Sequence, residues 1–242
     1  MNTHHNKTVR MTAWAAILGG VFAYLNVGLM AVATQGDMAV TLQGATMLAL
    51  PAGSRQLFRL SMFADLLGFY LPLLAIGGHL WSQYRQQAGA LGDMAALAIT
   101  VYVTLGLVGA CLQLAALNPL AQLHASGDPA AKAAAEAAWT AIATASQKGL
   151  WWCEGPVVLF WGLVVGAQLK RNGWSASLRW PLALVGVCFG LAFPVGFFPE
   201  LDRLSYGLLV VIVAVFPLWM ILFGARLLRR GELNAAQPLT AK

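Results

Sequence analysis

Six apolar stretches of membrane-crossing length recur along this 242-residue chain, and they limit its fold more than any other feature. An α-helix rises about 1.5 Å per residue, so roughly 20 residues cover a hydrocarbon core about 30 Å thick. The stretches fall at about 11–34, 57–82, 94–117, 149–169, 180–198 and 204–228. Backbone amides and carbonyls must find partners within the chain when lipid surrounds it, which makes these stretches helices. The reading is all-α: a polytopic membrane protein with six transmembrane helices in a single membrane domain over 1–242. Composition agrees, because hydrophobic residues make up 59% of the chain and charged residues only 10%. Soluble domains carry about 25% charge, which this chain lacks.

The segments between the spans run to 22 residues at most, with one exception. Residues 35–56 hold only Asp37 and Arg55 as charges, and Met38 to Leu50 reads as a short helix on the membrane surface. Asn118-Pro119 reads as the stop of the third span, since proline has no amide to continue a helix. The exception is the loop after it. Asp128 is placed as an N-cap with Pro129 at the first helical position, so an Ala-rich extramembrane helix is expected over about 129–147. The tail, 231–242, reads as disordered. Ala31-Val32-Ala33 resembles a signal-peptide cleavage site, but the apolar run before it is longer than such peptides use.

Charge sets the orientation. Ten of the fifteen Lys and Arg residues lie on the side that holds both termini, among them Arg85, Lys170, Arg171, Arg179, Arg226, Arg229 and Arg230. The positive-inside rule makes that side cytoplasmic and turns the Ala-rich helix outward. This distribution accounts for the net charge of +6 without nucleic acid, for which no recognition motif is present. Cys111, Cys153 and Cys188 form no C-x-x-C, so neither a zinc site nor a disulfide framework is signalled. The similar depth of Cys111 and Cys153 leaves a bridge between them open. No cofactor or metal motif appears.

Within the spans, polar residues mark a candidate site. Asp65 sits in the second span, where an ionisable group is costly and faces protein or water. Asp65, Pro72 and His79 are seven apart and share one face with Gly68, Phe69 and Ile76, which is expected to point into the bundle. Counting depth from the span ends puts Asn26, Asp65, Gln113 and Glu154, from four different spans, in the outer half. They are expected to line an outward-opening pocket walled by Phe69, Trp151 and Trp161, with Arg59 and Lys148 above it. Two plainer readings stand beside this one. Glu154, just before Gly155-Pro156, fits an interfacial N-cap, and Asp65 fits a structural acid bonded to Asn26 or Arg59. His79, beside Trp81, reads as interfacial. Gly162 and Gly166 read as a small-residue helix contact.

The words R-Q-L-F-R-L-S-M-F-A-D-L-L-G-F-Y-L (55–71) and V-T-L-G-L-V-G-A (103–110), followed later by G-L-W-W-C-E-G (149–155), resemble a group of bacterial six-span membrane proteins known as a domain of unknown function. The resemblance implies a six-helix bacterial membrane protein and supplies no catalytic residues. Metalloprotease and serine-hydrolase motifs are absent from the sequence. The functional expectation is an inner-membrane protein that binds or moves a small molecule or ion. A regulatory or assembly subunit, with a protein partner or as a homo-oligomer, and an intramembrane enzyme are the alternatives.

Overall fold

A computed structural model describes residues 3–236, in which nine α-helices follow one another without a β-strand. They are α1 (Thr3–Ala33), α2 (Gly44–Ala49), α3 (Ala52–Asp65), α4 (Leu71–Ala88), α5 (Ala90–His124), α6 (Pro129–Thr144), α7 (Glu154–Arg171), α8 (Ala176–Val195) and α9 (Asp202–Ala236). Six helical segments are long and apolar enough to cross a membrane: Lys7–Ala33, Ala52–Ala88, Ala90–His124, Pro129–Arg171, Ala176–Val195 and Pro199–Arg230. The protein is thus an all-α polytopic membrane protein by helix length and hydropathy. Its outer faces are apolar as well, with Phe63, Leu97, Leu163 and Trp180 exposed, a surface that suits lipid rather than water.

Two of the six segments are interrupted by π-helical turns. The second joins α3 to α4 through a π-helical turn at Leu66–Tyr70. Pro72 supplies a reason: its nitrogen cannot donate to the Gly68 carbonyl and its ring crowds that group, so the preceding turn widens. The fourth joins α6 to α7 through a π-helical turn at Ala145–Leu150 and a tight turn at 151–153. The Ala-rich helix therefore leads directly into the span. Its start follows the sequence grammar: Asp128 accepts from the amides of Ala130 (3.1 Å) and Ala131 (3.3 Å), and Pro129 opens the helix.

Three boundaries differ from those read in the sequence. The helix of the third span does not stop at Asn118-Pro119, because α5 passes through Pro119 to His124. One lost intrahelical bond is tolerated where neighbouring elements pack on the helix, and here α6 runs beside α5. At 35 residues, α5 is about 52 Å long, well beyond a hydrocarbon core of about 30 Å. The polar lead at the N-terminus is helical from Thr3, and α9 runs on to Ala236, so of the tail read as disordered only 237–242 lie outside the described residues.

Packing follows chain order with one long-range closure. α1 lies along α9 and against α3 and α4, α7 pairs with α8, and α5 contacts α4 and α7. The Tyr24 hydroxyl donates to the Ala214 carbonyl (2.6 Å), tying α1 to α9. One apolar core runs through the bundle and includes a column of rings, Trp161–Trp219–Phe223–Trp174, with centroids 5.3–5.8 Å apart. A second core, around Met47, Phe58 and Trp139, forms a cap at one end. There the chain from Met38 does not lie free along a membrane surface. It folds as a 3₁₀ turn (Met38–Leu42) and α2, docked on α6 by Trp139 Nε1 to the Thr41 carbonyl (2.9 Å) and the Gly44 amide to Thr140 Oγ1 (3.1 Å). A buried indole N–H requires such an acceptor, and the bond fixes the cap.

Candidate functional site

Asp65 is the last residue of α3, immediately before the π-helical turn, and Glu154 is the first residue of α7, just after the second interruption. Both acids thus stand at breaks in the helical ladder. Both are buried, at 6% and 3% exposure, and they are close enough to interact electrostatically. Asn26 on α1 donates through Nδ2 to Asp65 Oδ1 at 3.0 Å. Of the two structural partners open to Asp65, the protein uses Asn26 and not Arg59. The Arg59 Nη1 bonds to Gln56 Oε1 (3.1 Å) instead, and neither salt bridge among the described residues involves a site acid.

Two tyrosines complete the cluster. Tyr70 faces the Glu154 carboxyl, and Tyr102 of α5 lies within electrostatic reach of both acids. The Tyr70 and Tyr102 rings are 5.2 Å apart, and Tyr102 continues into an aromatic layer with Phe189 and Phe216, against which Phe69 also packs. In an unbroken α-helix, Tyr70 would stand about 140° round the axis from Asp65. The wider turn brings it toward the acid's side. Room for it comes from Gly106, where a Cβ would fall 1.8 Å from the ring, and Gly109 makes the same allowance for the Trp151 indole.

Three buried polar atoms of this region have no hydrogen-bond partner among the described residues: Asn26 Oδ1, Glu154 Oε1 and Trp151 Nε1. Buried polar groups are normally paired, so a group of this kind calls for a physical reason. Glu154 does not cap α7 at an interface, as one sequence reading had it, because Cys153 holds the cap position and Glu154 is buried behind it. Burial instead follows from the close approach of α7 to α8, where Gly155 lies against the Phe189 carbonyl.

The remaining sequence candidates separate. Gln113 is fully buried, but it accepts from Gln147 Nε2 (2.9 Å), and Gln147 in turn accepts from Thr41 Oγ1 (3.1 Å). It therefore belongs to a polar chain that ties the cap to α5. Trp161 lies two turns further along α7, about 10 Å from Glu154, stacked edge-on against Trp219. It is not a wall of the acid cluster. His79 is buried within the bundle. In the Gly162–Gly166 pair, only Gly162 meets another helix, at Gly186 of α8, while Gly166 meets nothing. All three cysteines are free thiols, so Cys111 and Cys153 are not bridged. Among the described residues no three His, Cys, Asp or Glu side chains group to hold a metal.

Sequence reasoning missed Tyr70 and Tyr102 as site residues. Tyr102 was visible as a polar-tipped residue inside a span, whereas Tyr70 depends on a helical irregularity that spacing rules assume away. The pocket was also expected to open outward, but the acids are enclosed beneath the cap and the aromatic layer. No family model, curated protein or solved structure significantly matches this chain.

Proposed function

We propose that the protein binds or translocates a small molecule or ion at the paired acids Asp65 and Glu154, with Asn26, Tyr70 and Trp151 as the polar groups around them. The observation that carries this reading is the set of unmatched polar atoms beside two carboxyl groups in a bilayer-spanning bundle. Ionisable groups at such depth mark ligand or ion paths by default. Because the cluster is enclosed, exchange requires movement of the cap or of the two π-helical turns, which are departures from regular helix of the sort found at functional sites. The Lys and Arg distribution supports an orientation with both termini cytoplasmic.

A second reading has an observation of its own. The Asn26–Asp65 bond links α1 to α3, as a purely structural acid in a regulatory or assembly subunit would. Asp65→Asn and Glu154→Gln separate the two readings, examined by native mass spectrometry of protein in neutral detergent and by size exclusion. Ligand binding predicts folded, monodisperse variants that lose a copurifying small molecule or ion. Variants that aggregate or shed a protein partner, with the small-molecule complement unchanged, refute it.

A further inference from the structure

At the end of the bundle opposite the cap, the turn between α7 and α8 and the last turns of α9 enclose an open cavity of about 310 Å³. It is lined by Gly173, Trp174, Ser175, Arg226, Arg229 and Arg230, so three of its six residues are arginines. Spacing on the helix places Arg226 with Arg229 and Arg230 on one side, three and four residues apart. Each guanidinium is positioned by the turn or left free to reach the cavity. Arg226 donates to Ser175 Oγ, and Arg230 lies over the Trp174 ring at 3.9 Å and reaches the Gly173 carbonyl at 3.5 Å. Arg229 is exposed. Trp174 is itself fixed by stacking on Phe223 and by its indole bond to the Tyr84 hydroxyl (2.8 Å). The arginines thus stand on a rigid aromatic base.

No salt bridge among the residues whose side chains are described, which end at Arg230, neutralises these three charges. Ser175 also begins α8, yet its side chain makes no capping bond and turns to Arg226 and Ser177 Oγ (2.9 Å). The amides of Leu178 and Arg179 fold back on the Ser175 carbonyl. Those of Ala176 and Ser177 begin the helix, where amides lack intrahelical acceptors and the dipole favours an anion. Exposed Lys170 and Arg171 at the end of α7 add to the field. Guanidinium forks, hydroxyls and helix-start amides around one cavity are the donor set that phosphate oxygens accept from.

We infer that this cavity is a binding site for a phosphate group, held by Arg226, Arg229 and Arg230 with Ser175 and the start of α8. Its place where candidate membrane spans end puts an anionic phospholipid headgroup within reach, and basic pockets between spans recognise such headgroups. A soluble phosphate ester has the same chemistry. The inference does not depend on the acid pair or on any function proposed for it.

The test uses the full chain in neutral detergent, titrated with phosphatidylglycerol, phosphatidylcholine or glycerol 3-phosphate. Retained lipid is read by native mass spectrometry, and stabilisation by thermal unfolding. Wild type is expected to retain phosphatidylglycerol over phosphatidylcholine, and each of Arg229→Gln and Arg230→Gln to reduce that preference about fivefold. Stabilisation by glycerol 3-phosphate, sensitive to the same substitutions and without lipid preference, would support the phosphate site with a soluble source. Wild-type protein that shows neither response overturns the inference even if a variant misfolds, as does a preference that both variants keep.

Discussion

Replacing Gly106 by alanine tests the packing that places Tyr70 beside Glu154. An alanine Cβ at this position would lie 1.8, 2.1 and 2.2 Å from three ring carbons of Tyr70. The ring must retreat about 2 Å to reach ordinary van der Waals distance. It has little room to do so, since Tyr102 lies against it and Tyr70 is only 5% exposed. Overpacking of this kind costs about 1–3 kcal/mol, and contact with three carbons of a rigid ring argues for the upper part of that range. Alanine in place of glycine within a helix returns about 1 kcal/mol. The net expectation is a loss of about 1–2 kcal/mol. Gly166→Ala is the control, because a Cβ there meets nothing within 4 Å and only the helical gain of up to about 1 kcal/mol remains. Reversible unfolding in mixed SDS and neutral-detergent micelles measures both. The double variant Gly106→Ala/Tyr70→Leu should recover part of the loss, since the flat ring that meets the new methyl is gone. If Gly106→Ala unfolds at the same SDS fraction as Gly166→Ala, Tyr70 does not occupy that space and its place opposite Glu154 falls with it.

Two further outcomes are expected. Asp128→Ala removes the side chain that accepts from Ala130 and Ala131 and should cost about 0.5–2 kcal/mol in the same unfolding assay; an unchanged midpoint would show that α6 does not rely on this cap. Thiol titration of the unfolded chain without reductant should find three reactive thiols, as the three free cysteines require, and a count of one would mean that a bridge exists.

Much of the site was legible one residue at a time and little of it as an arrangement. Asp65 and Glu154 stood out because a carboxyl group in an apolar run has few acceptable surroundings, and Asn26 was already named as a partner for Asp65. Burial of Gly68, Phe69, Pro72, Ile76 and His79 with Asp65 matches the face read from heptad spacing. That the face survives is informative, since the π-helical turn lies within it and changes the angular count. Trp161 failed as a wall because it stands two turns beyond Glu154 along α7, and its neighbour at that depth is Trp219 from α9. Arg59 failed because sequence proximity to Asp65 says nothing about which way a long side chain turns. The arginine cavity could not be read at all, because α9 brings its residues to a turn some fifty positions earlier.

Taken alone, the amino-acid order determined the class of the molecule: six apolar lengths that lipid obliges to be helical, the charge asymmetry of their ends, and the start of α6 at Asp128. These follow from local chemistry, in which a residue's solvent or its next few neighbours decide its conformation. The tertiary structure alone decided which polar groups meet. Helices in a bilayer are all apolar outside, so hydrophobicity does not select their partners; close-fitting surfaces do, through Gly106 under Tyr70, Gly155 against α8 and Gly19 against Pro72. Contacts of that kind depend on shape across distant segments, and they set the acid pair, its tyrosines and the arginine cavity in place.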